Sequence, residues 1–323
     1  MTKKLLTETK KQGLVLSAYG GFYQVLADDA EYQCRLRGKL KRHRAKDDGT
    51  GGVYAGDQVI ISLPPNGNTD AEGMVEEVLE RHNFLPRPRI ANISQAVAVL
   101  AVREPVYDLL LLDRIMVTAA FYGLKPAICF NKADLAGPDL EIVVRLYQSC
   151  GFKVVKASAT AEQGLAEFYE LLQGEVSVLA GPSGVGKSSL LNALIPGLEI
   201  PTGAISERLQ RGKHTTRHVR LWQLGNAGLV ADAPGFSLLD LPVDLKANQL
   251  PDLYPDYRAL AGQCRFLGCY HKDEPDCAVK ASLAAGQLDA ERYERYCRLL
   301  SELTEREPVY QKPEGKGHLV VRD

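Results

Sequence analysis

Gly181-Pro182-Ser183-Gly184-Val185-Gly186-Lys187-Ser188-Ser189 fits the pattern GxxxxGKS without a mismatch, and the other motifs of the chain make sense only when placed around it. The apolar run Val176 to Ala180 before it reads as a buried strand, and Ser188 to Leu194 opens an amphipathic helix, which is the context a phosphate-binding loop needs. Its glycines let backbone N–H groups turn inward around phosphate oxygens, and the helix N-terminus adds partial positive charge. Lys187 can reach the β- and γ-phosphates, and the Ser188 hydroxyl suits Mg²⁺.

Base identity is set elsewhere. Asn131-Lys132-Ala133-Asp134 closes the apolar run Ala127 to Phe130 and matches NKxD, in which the Asp134 carboxylate accepts both the N1–H and the exocyclic amine of guanine. Adenine offers no such pair of donors. Ser158-Ala159 follows the strand Phe152 to Val155 and fits the short loop whose backbone touches guanine O6. Asp232-Ala233-Pro234-Gly235 follows the strand Gly228 to Ala231 and fits DxxG, with Asp232 near Mg²⁺ and the Gly235 amide near the γ-phosphate.

The order of these motifs is informative. In an ordinary GTPase the phosphate loop leads and NKxD follows long after it, whereas here NKAD and SA come first and DAPG closes the set. The domain reads as a circular permutation, which a compact fold tolerates because its termini lie at the surface and often close together. On this motif order the chain resembles the circularly permuted, ribosome small-subunit-dependent GTPases of the RsgA/YjeQ type, over nearly its whole length.

At 323 residues the chain calls for two or three domains. A formal charge of −1 argues against a uniformly basic nucleic-acid coat, so RNA contacts must come from local patches. The N-terminus lacks a signal-peptide core, and no segment offers about 18 uninterrupted apolar residues, so a cytoplasmic location without membrane contact is expected. Five short β-like runs between Gly13 and Val78 are compatible with a small closed barrel of the oligonucleotide-binding type, and the resemblance implies the same. Arg35, Arg37, Lys39, Lys41, Arg42, Arg44 and Lys46 occur there with no acid among them, a candidate contact to an RNA backbone. A solvated basic loop is the alternative.

Leu85-Pro86-Arg87-Pro88-Arg89 reads as an extended linker. Beyond it, runs at Gln95 to Val102, Ala127 to Phe130, Phe152 to Val155, Val176 to Ala180, His218 to Leu224 and Gly228 to Ala231 read as strands. Asp108 to Phe121, Asp139 to Cys150, Gly164 to Leu172 and Ser188 to Leu194 read as helices. Their alternation predicts a mostly parallel sheet covered on both faces, with nucleotide loops at the strands' carboxyl ends.

Pro201 to Arg217 reads as the first switch, with Thr215 or Thr216 offering a hydroxyl to Mg²⁺. Matching the family's HTT motif favours Thr216. Phe236 stands where many GTPases place the glutamine that orients the attacking water, and an aromatic ring cannot do that. His214 is the available substitute, and the resemblance gives it a catalytic role. Farther on, Cys264-x4-Cys269-x-His271-x5-Cys277 supplies thiolates and an imidazole for one tetrahedral, structural Zn²⁺, a spacing the family shares. Leu288 to Leu303 reads as an amphipathic helix, and Lys312 to Asp323 as a tail.

The expectation is a multidomain α/β protein: an oligonucleotide-binding-type barrel over 1–85, a permuted GTPase domain over 86–248 and a mostly helical zinc-binding domain over 249–323. Lys187, His214 and Thr216 are the catalytic candidates. Its ligands are GTP or GDP, Mg²⁺ and one Zn²⁺, and its expected state is a monomer. The resemblance implies action in late maturation of the small ribosomal subunit, with the subunit and its rRNA as partners. An RNA-binding scaffold that holds GTP for shape is one rival reading. An ATP-dependent small-molecule kinase is another, and it would lack a guanine-reading NKxD.

Overall fold

A computed structural model describes residues 9–38, 52–64, 73–200, 219–225, 228–232 and 241–306, with Asp232 described by its backbone alone. The chain divides into two compact units, Met1–Asp240 and Leu241–Asp323.

Five strands open the first unit: β1 (Thr9–Tyr19), β2 (Phe22–Ala27), β3 (Ala30–Leu36), β4 (Gln58–Leu63) and β5 (Gly73–Val78). They close into a barrel in the order β1-β2-β3-β5-β4. β1 pairs antiparallel with both β2 and β4, and β3 runs parallel to β5. Inward residues alternate along much of each strand, so Tyr23, Val25, Val59, Ile61 and Val75 fill the barrel, and consecutive residues are buried only at Val15 and Leu16 of β1 and at Ile61 to Leu63 of β4. The predicted barrel is therefore present, with β1 starting four residues earlier than its apolar run. Within the basic cluster, Arg35 stacks 4.6 Å from the Phe22 ring centroid and Arg37 pairs with Glu76, so Arg37 is a neutralised cation. Lys39, Lys41, Arg42, Arg44 and Lys46 lie outside the described residues.

The stretch read as a linker is instead a packed hairpin. β6 (Phe84–Pro86) pairs antiparallel with β7 (Arg89–Ala91), and Leu85 and Ile90 are fully buried. Paired prolines favour an extended path, but these two apolar side chains on one face of the turn draw it onto the neighbouring core. Arg81 strengthens the seam: it donates to the buried Asp57 carboxylate at 2.6 and 2.9 Å and its guanidinium sits 5.2 and 5.1 Å from the ring centroids of Tyr54 and Phe84.

A six-stranded sheet follows, in the order β10-β9-β8-β11-β13-β12. Its strands are β8 (Gln95–Ala101), β9 (Lys125–Asn131), β10 (Lys153–Lys156), β11 (Val176–Ala180), β12 (Leu221–Gln223) and β13 (Leu229–Asp232). Every pairing is parallel except β12 with β13. Every residue of β8 is buried because both faces are covered. Ala96, Ala98 and Leu100 enter one core with Leu112, Ile115 and Tyr147, from α1 (Leu109–Phe121) and α2 (Asp139–Ser149). Val97, Val99 and Ala101 enter the other with Phe168, Leu172 and Leu190, from α3 (Leu165–Leu172) and α4 (Lys187–Leu194). α1 begins one residue later than the predicted Asp108, because Asp108 caps it by accepting from the Leu110 and Leu111 N–H groups at 2.8 and 3.2 Å. The strand expected over His218 to Leu224 is shorter, confined to Leu221–Gln223 where β13 offers a partner.

In the second unit three helices, α5 (Pro255–Ala261), α6 (Ala278–Ala284) and α7 (Ala290–Arg306), surround buried Tyr254, Tyr257 and Tyr296. The rings of Tyr254 and Tyr257 stack at 5.0 Å and 20°. α7 starts after the predicted Leu288, because the Asp289 carboxylate accepts from the Arg292 N–H at 2.7 Å and marks the helix entrance. Among the described residues no helix is long and apolar enough to cross a membrane.

Candidate functional site

Parallel strands deliver their carboxyl ends to one edge of a sheet, and loops from that edge converge. Here β9 ends on Asn131, β10 leads to Ser158, β11 leads to Gly181 and β13 ends on Asp232. The register places Asp232 beside Leu179 of β11, so the DxxG aspartate stands next to the start of the phosphate loop. Motifs far apart in sequence therefore share one edge.

The phosphate loop needs glycine at two positions for steric reasons. A Cβ on Gly181 would lie 2.1 Å from the Val99 carbonyl oxygen, and one on Gly186 would lie 2.3 Å from Asn131 Nδ2. Gly186 also has φ +91, a left-handed conformation that L side chains rarely adopt. Between them Val185 is buried, while Ser183 and Gly184 are exposed at the tip and Pro182, Ser188 and Ser189 are partly buried. Lys187 Nζ donates to the carbonyls of Gly181 and Pro182, both at 2.9 Å, which holds its charge over the loop.

Asn131 ties two motifs together. Its buried Nδ2 donates to the Val185 carbonyl at 2.8 Å, so the residue that opens NKAD also braces the phosphate loop. Lys132 takes a left-handed φ of 57° and donates to the Glu104 carbonyl. Asp134 follows in the 3-10 turn Ala133–Leu135 with its side chain exposed. The Ala133 N–H donates to Ala157 O at 3.0 Å, which joins NKAD to the Ser158-Ala159 loop. Ser158 is buried, and its backbone exchanges hydrogen bonds with Gln163 at 2.8 and 3.1 Å while its hydroxyl accepts from the Ala161 N–H. Ala159 packs partly buried against the core beneath. His214, Thr215, Thr216, Gly235 and Phe236 lie outside the described residues.

Two contributors escaped the sequence reading. Glu104 offers only a backbone oxygen, and Pro105 comes near the loop tip, 4.0 Å from where a Gly184 Cβ would sit. The available signal was their position just past the carboxyl end of the buried run Gln95 to Val102, where parallel sheets carry their ligands. Gln163 likewise acts through backbone groups, which no side-chain motif reveals.

The second unit brings Cys264, Cys269, His271 and Cys277 together, with ligand atoms all within 4.8 Å of one another. His271 Nδ1 lies 3.6 Å from Cys264 Sγ and 3.4 Å from Cys277 Sγ. Tetrahedral zinc with ordinary Zn–S and Zn–N bonds separates sulfur from nitrogen by ~3.5 Å, so the donor set and its spacing fit that ion. Backbone N–H groups of His271 and Ala278 point at Cys269 Sγ and Cys264 Sγ, each at 3.4 Å. Burial pushes the Cys269 thiol up to about 12 and the His271 imidazole down, so in this pocket thiolates need a compensating dication while the imidazole is neutral and able to ligate. The Tyr293 hydroxyl donates to His271 O at 2.7 Å and the Tyr296 hydroxyl to Tyr270 O at 2.6 Å, which fixes the ligand-bearing loop to α7.

Comparison with known proteins agrees with this geometry. Residues 78–242 match the RsgA GTPase family and residues 12–71 the RsgA N-terminal domain. A small ribosomal subunit biogenesis GTPase RsgA from Geobacillus sp. (strain WCH70) is 40% identical over 303 residues, covering 93% of this chain and 99% of that one. The protein of the same name from Moorella thermoacetica is 40% identical over 296 residues, covering 92% and 98%. Among solved structures, YjeQ from Thermotoga maritima superposes with a TM-score of 0.77 at 32% identity, covering 93% of this chain and all of that one. YloQ, described as a circularly permuted GTPase, superposes with a TM-score of 0.76 at 33% identity, covering 96% and 100%. With the motif order, the sheet and the likeness along almost its whole length in agreement, the chain belongs to the RsgA family of circularly permuted GTPases, guanine-nucleotide enzymes that hydrolyse GTP.

Proposed function

We propose that this GTPase acts in late maturation of the small ribosomal subunit, binds the subunit through its rRNA and is stimulated by it. The observation that carries the reading is the single sheet edge that gathers NKAD, Ser158-Ala159, the phosphate loop and Asp232, in the same compact unit as the barrel. Full-length relatives named for small-subunit biogenesis support the choice of partner. The cationic run of the barrel is the surface for the RNA backbone.

Residue roles follow from chemistry. Asn131, Lys132 and Asp134 read the guanine edge, and Ser158 and Ala159 close over its O6. Backbone N–H groups of Gly181 to Ser189, that is Gly181, Pro182's following residues Ser183, Gly184, Val185 and Gly186, then Lys187, Ser188 and Ser189, cradle the phosphates. Ser188 and Thr216 would hold Mg²⁺, with Asp232 as a further carboxylate for it, and the bound ion would neutralise charge on the phosphates. Lys187 stabilises the negative charge that builds as the bond between the γ-phosphorus and its bridging oxygen breaks, while the Gly235 amide holds a γ-oxygen. His214 orients the water whose oxygen bonds to that phosphorus, so that GDP and phosphate leave. One Zn²⁺ on Cys264, Cys269, His271 and Cys277 serves structure, because its four protein ligands leave no open position. The working division is 1–85, 86–248 and 249–323 in a cytoplasmic monomer.

The test is GTP turnover of the purified protein titrated with small subunits, large subunits and free rRNA. Stimulation confined to small subunits is the expected result. Turnover indifferent to all of them, with RNA binding retained, would instead make the protein an RNA-binding scaffold for which hydrolysis is incidental.

A further inference from the structure

β1 leaves the regular barrel ladder at one point. Opposite Val25 and Gln24 of β2 it sets Val15 and Ser17, with Leu16 as the additional residue of a bulge. Val15 and Ala18 face the barrel core, so Leu16 and Ser17 both fall on the outer side. Leu16 is 1% exposed and packs in the core on one face of the GTPase sheet, with Val219, Leu221 and Ala231. Ser17 forms an antiparallel bridge with Arg220, the residue just before β12. The Arg220 guanidinium donates to both oxygens of Glu31 on β3 at 3.3 and 3.4 Å, and it lies 4.4 Å from the Trp222 ring centroid.

This contact lies at a place that matters to the reaction. In sequence Arg220 follows Thr216 by four residues. In the sheet Leu221 and Trp222 pair with Ala231 and Val230, and that strand ends on Asp232. The barrel's other attachment, through Ala55 to Ala91 and Gly56 to Asn92, leads into the amino end of β8, away from the ligand-bearing edge. Of these two attachments, the one through Ser17 and Arg220 meets the strand that pairs with β13.

We infer that the bulge of β1 and Arg220 form a coupling joint between barrel and reaction. Leu16 and Arg220 are positioning residues: they hold β12 and, through its pairing with β13, the strand that ends on Asp232. A polyanionic RNA backbone bound on the barrel changes the hydrolysis rate through this joint. Glu31 and Arg220 are half-exposed, so their Coulomb attraction contributes little to stability; their role is register. The inference rests on the proposed stimulation by the small subunit, and the test separates the two.

Trp222 is the single tryptophan of the chain, so its emission reports the joint directly. Full-length protein loaded with GDP or with a non-hydrolysable GTP analogue is expected to differ in Trp222 emission. Glu31→Ala and Leu16→Ala are expected to shrink that difference while leaving GTP affinity and unstimulated turnover within about two-fold of wild type. With purified small subunits both variants should bind normally but lose about five-fold or more in stimulated kcat, the low end of coupling between sites, with KM for GTP unchanged. The charge-reversed pair Glu31→Arg with Arg220→Glu should restore stimulation that either single change removes. Should Leu16→Ala fail to fold by circular dichroism, Glu31→Ala and the milder Leu16→Val decide. Identical Trp222 emission in the two nucleotide states, or full stimulation in folded Leu16→Ala and Glu31→Ala, overturns the joint. Wild-type turnover that ignores subunits, with a nucleotide-dependent Trp222 signal that still needs Leu16, sinks the ribosomal reading and supports the joint.

Discussion

The loops bearing Asn131, Ser158 and Lys187 hang from a sheet buried on both faces, whereas Cys264, Cys269, His271 and Cys277 hang from short helices around a few tyrosines. In the first region an apolar core exists without any ligand, and backbone hydrogen bonds such as Ala133 to Ala157 then aim the loops. In the second, α5 and α6 are each two turns or less, and the donor set lies on the segment between them. One region has a site because it has a core. The other is expected to keep its core because it has a site: around helices this short, a bound metal would supply much of the folding free energy.

The largest expected effect breaks that comparison at its weaker side. Stripping metal with a strong chelator, or replacing Cys269 by Ser, should unfold the unit from Leu241 onward, as structural zinc supplies about 10–16 kcal/mol of folding free energy in small domains. Limited proteolysis should then cut after Leu241 while GTP affinity holds. Elemental analysis of the purified protein should find about one zinc per chain; a metal-free yet protease-resistant unit would show that its tyrosines suffice.

Next comes Asp134→Asn, which should weaken GTP binding by about 3–6 kcal/mol, the worth of two hydrogen bonds to a charged acceptor. Xanthine nucleotide should gain affinity in return, and zinc content should not change. Unaltered GTP affinity by calorimetry refutes the assignment of NKAD. His214→Ala should leave nucleotide and subunit binding intact and lower stimulated turnover by about 10²-fold or more, since water positioning and charge stabilisation together change GTPase rates by about 10³ to 10⁵. Retained stimulation would move water positioning to a backbone amide or to the subunit. Asn131→Ala is the mildest: losing the buried bond to Val185 O should lower the stability of the first unit by about 1–3 kcal/mol, seen as a fall in Tm that saturating GDP partly reverses. A Tm unaffected by the change would mean that Val185 needs no brace.

Sequence alone determined the chemistry. GxxxxGKS, NKxD, DxxG and C-x4-C-x-H-x5-C each compress a ligand requirement into a few residues, and their order revealed the permutation, because short local motifs survive any rearrangement of chain ends. The barrel and sheet were legible for a similar reason: strands alternating or wholly apolar announce whether one face or two are buried. Tertiary structure alone decided what depends on who sits opposite whom. Leu85 to Arg89 has the prolines of a linker, and only packing of Leu85 and Ile90 makes it a hairpin. Arg37 looks like its cationic neighbours until Glu76 from another strand pairs with it. Leu16 reads as one more apolar residue of β1, yet the bulge sends it into the core of the GTPase sheet beside Leu221. Such contacts are decided by backbone register and shape, whether the partners are 39 positions apart like Arg37 and Glu76 or divided between barrel and sheet like Leu16 and Leu221, and no local pattern of side chains signals them.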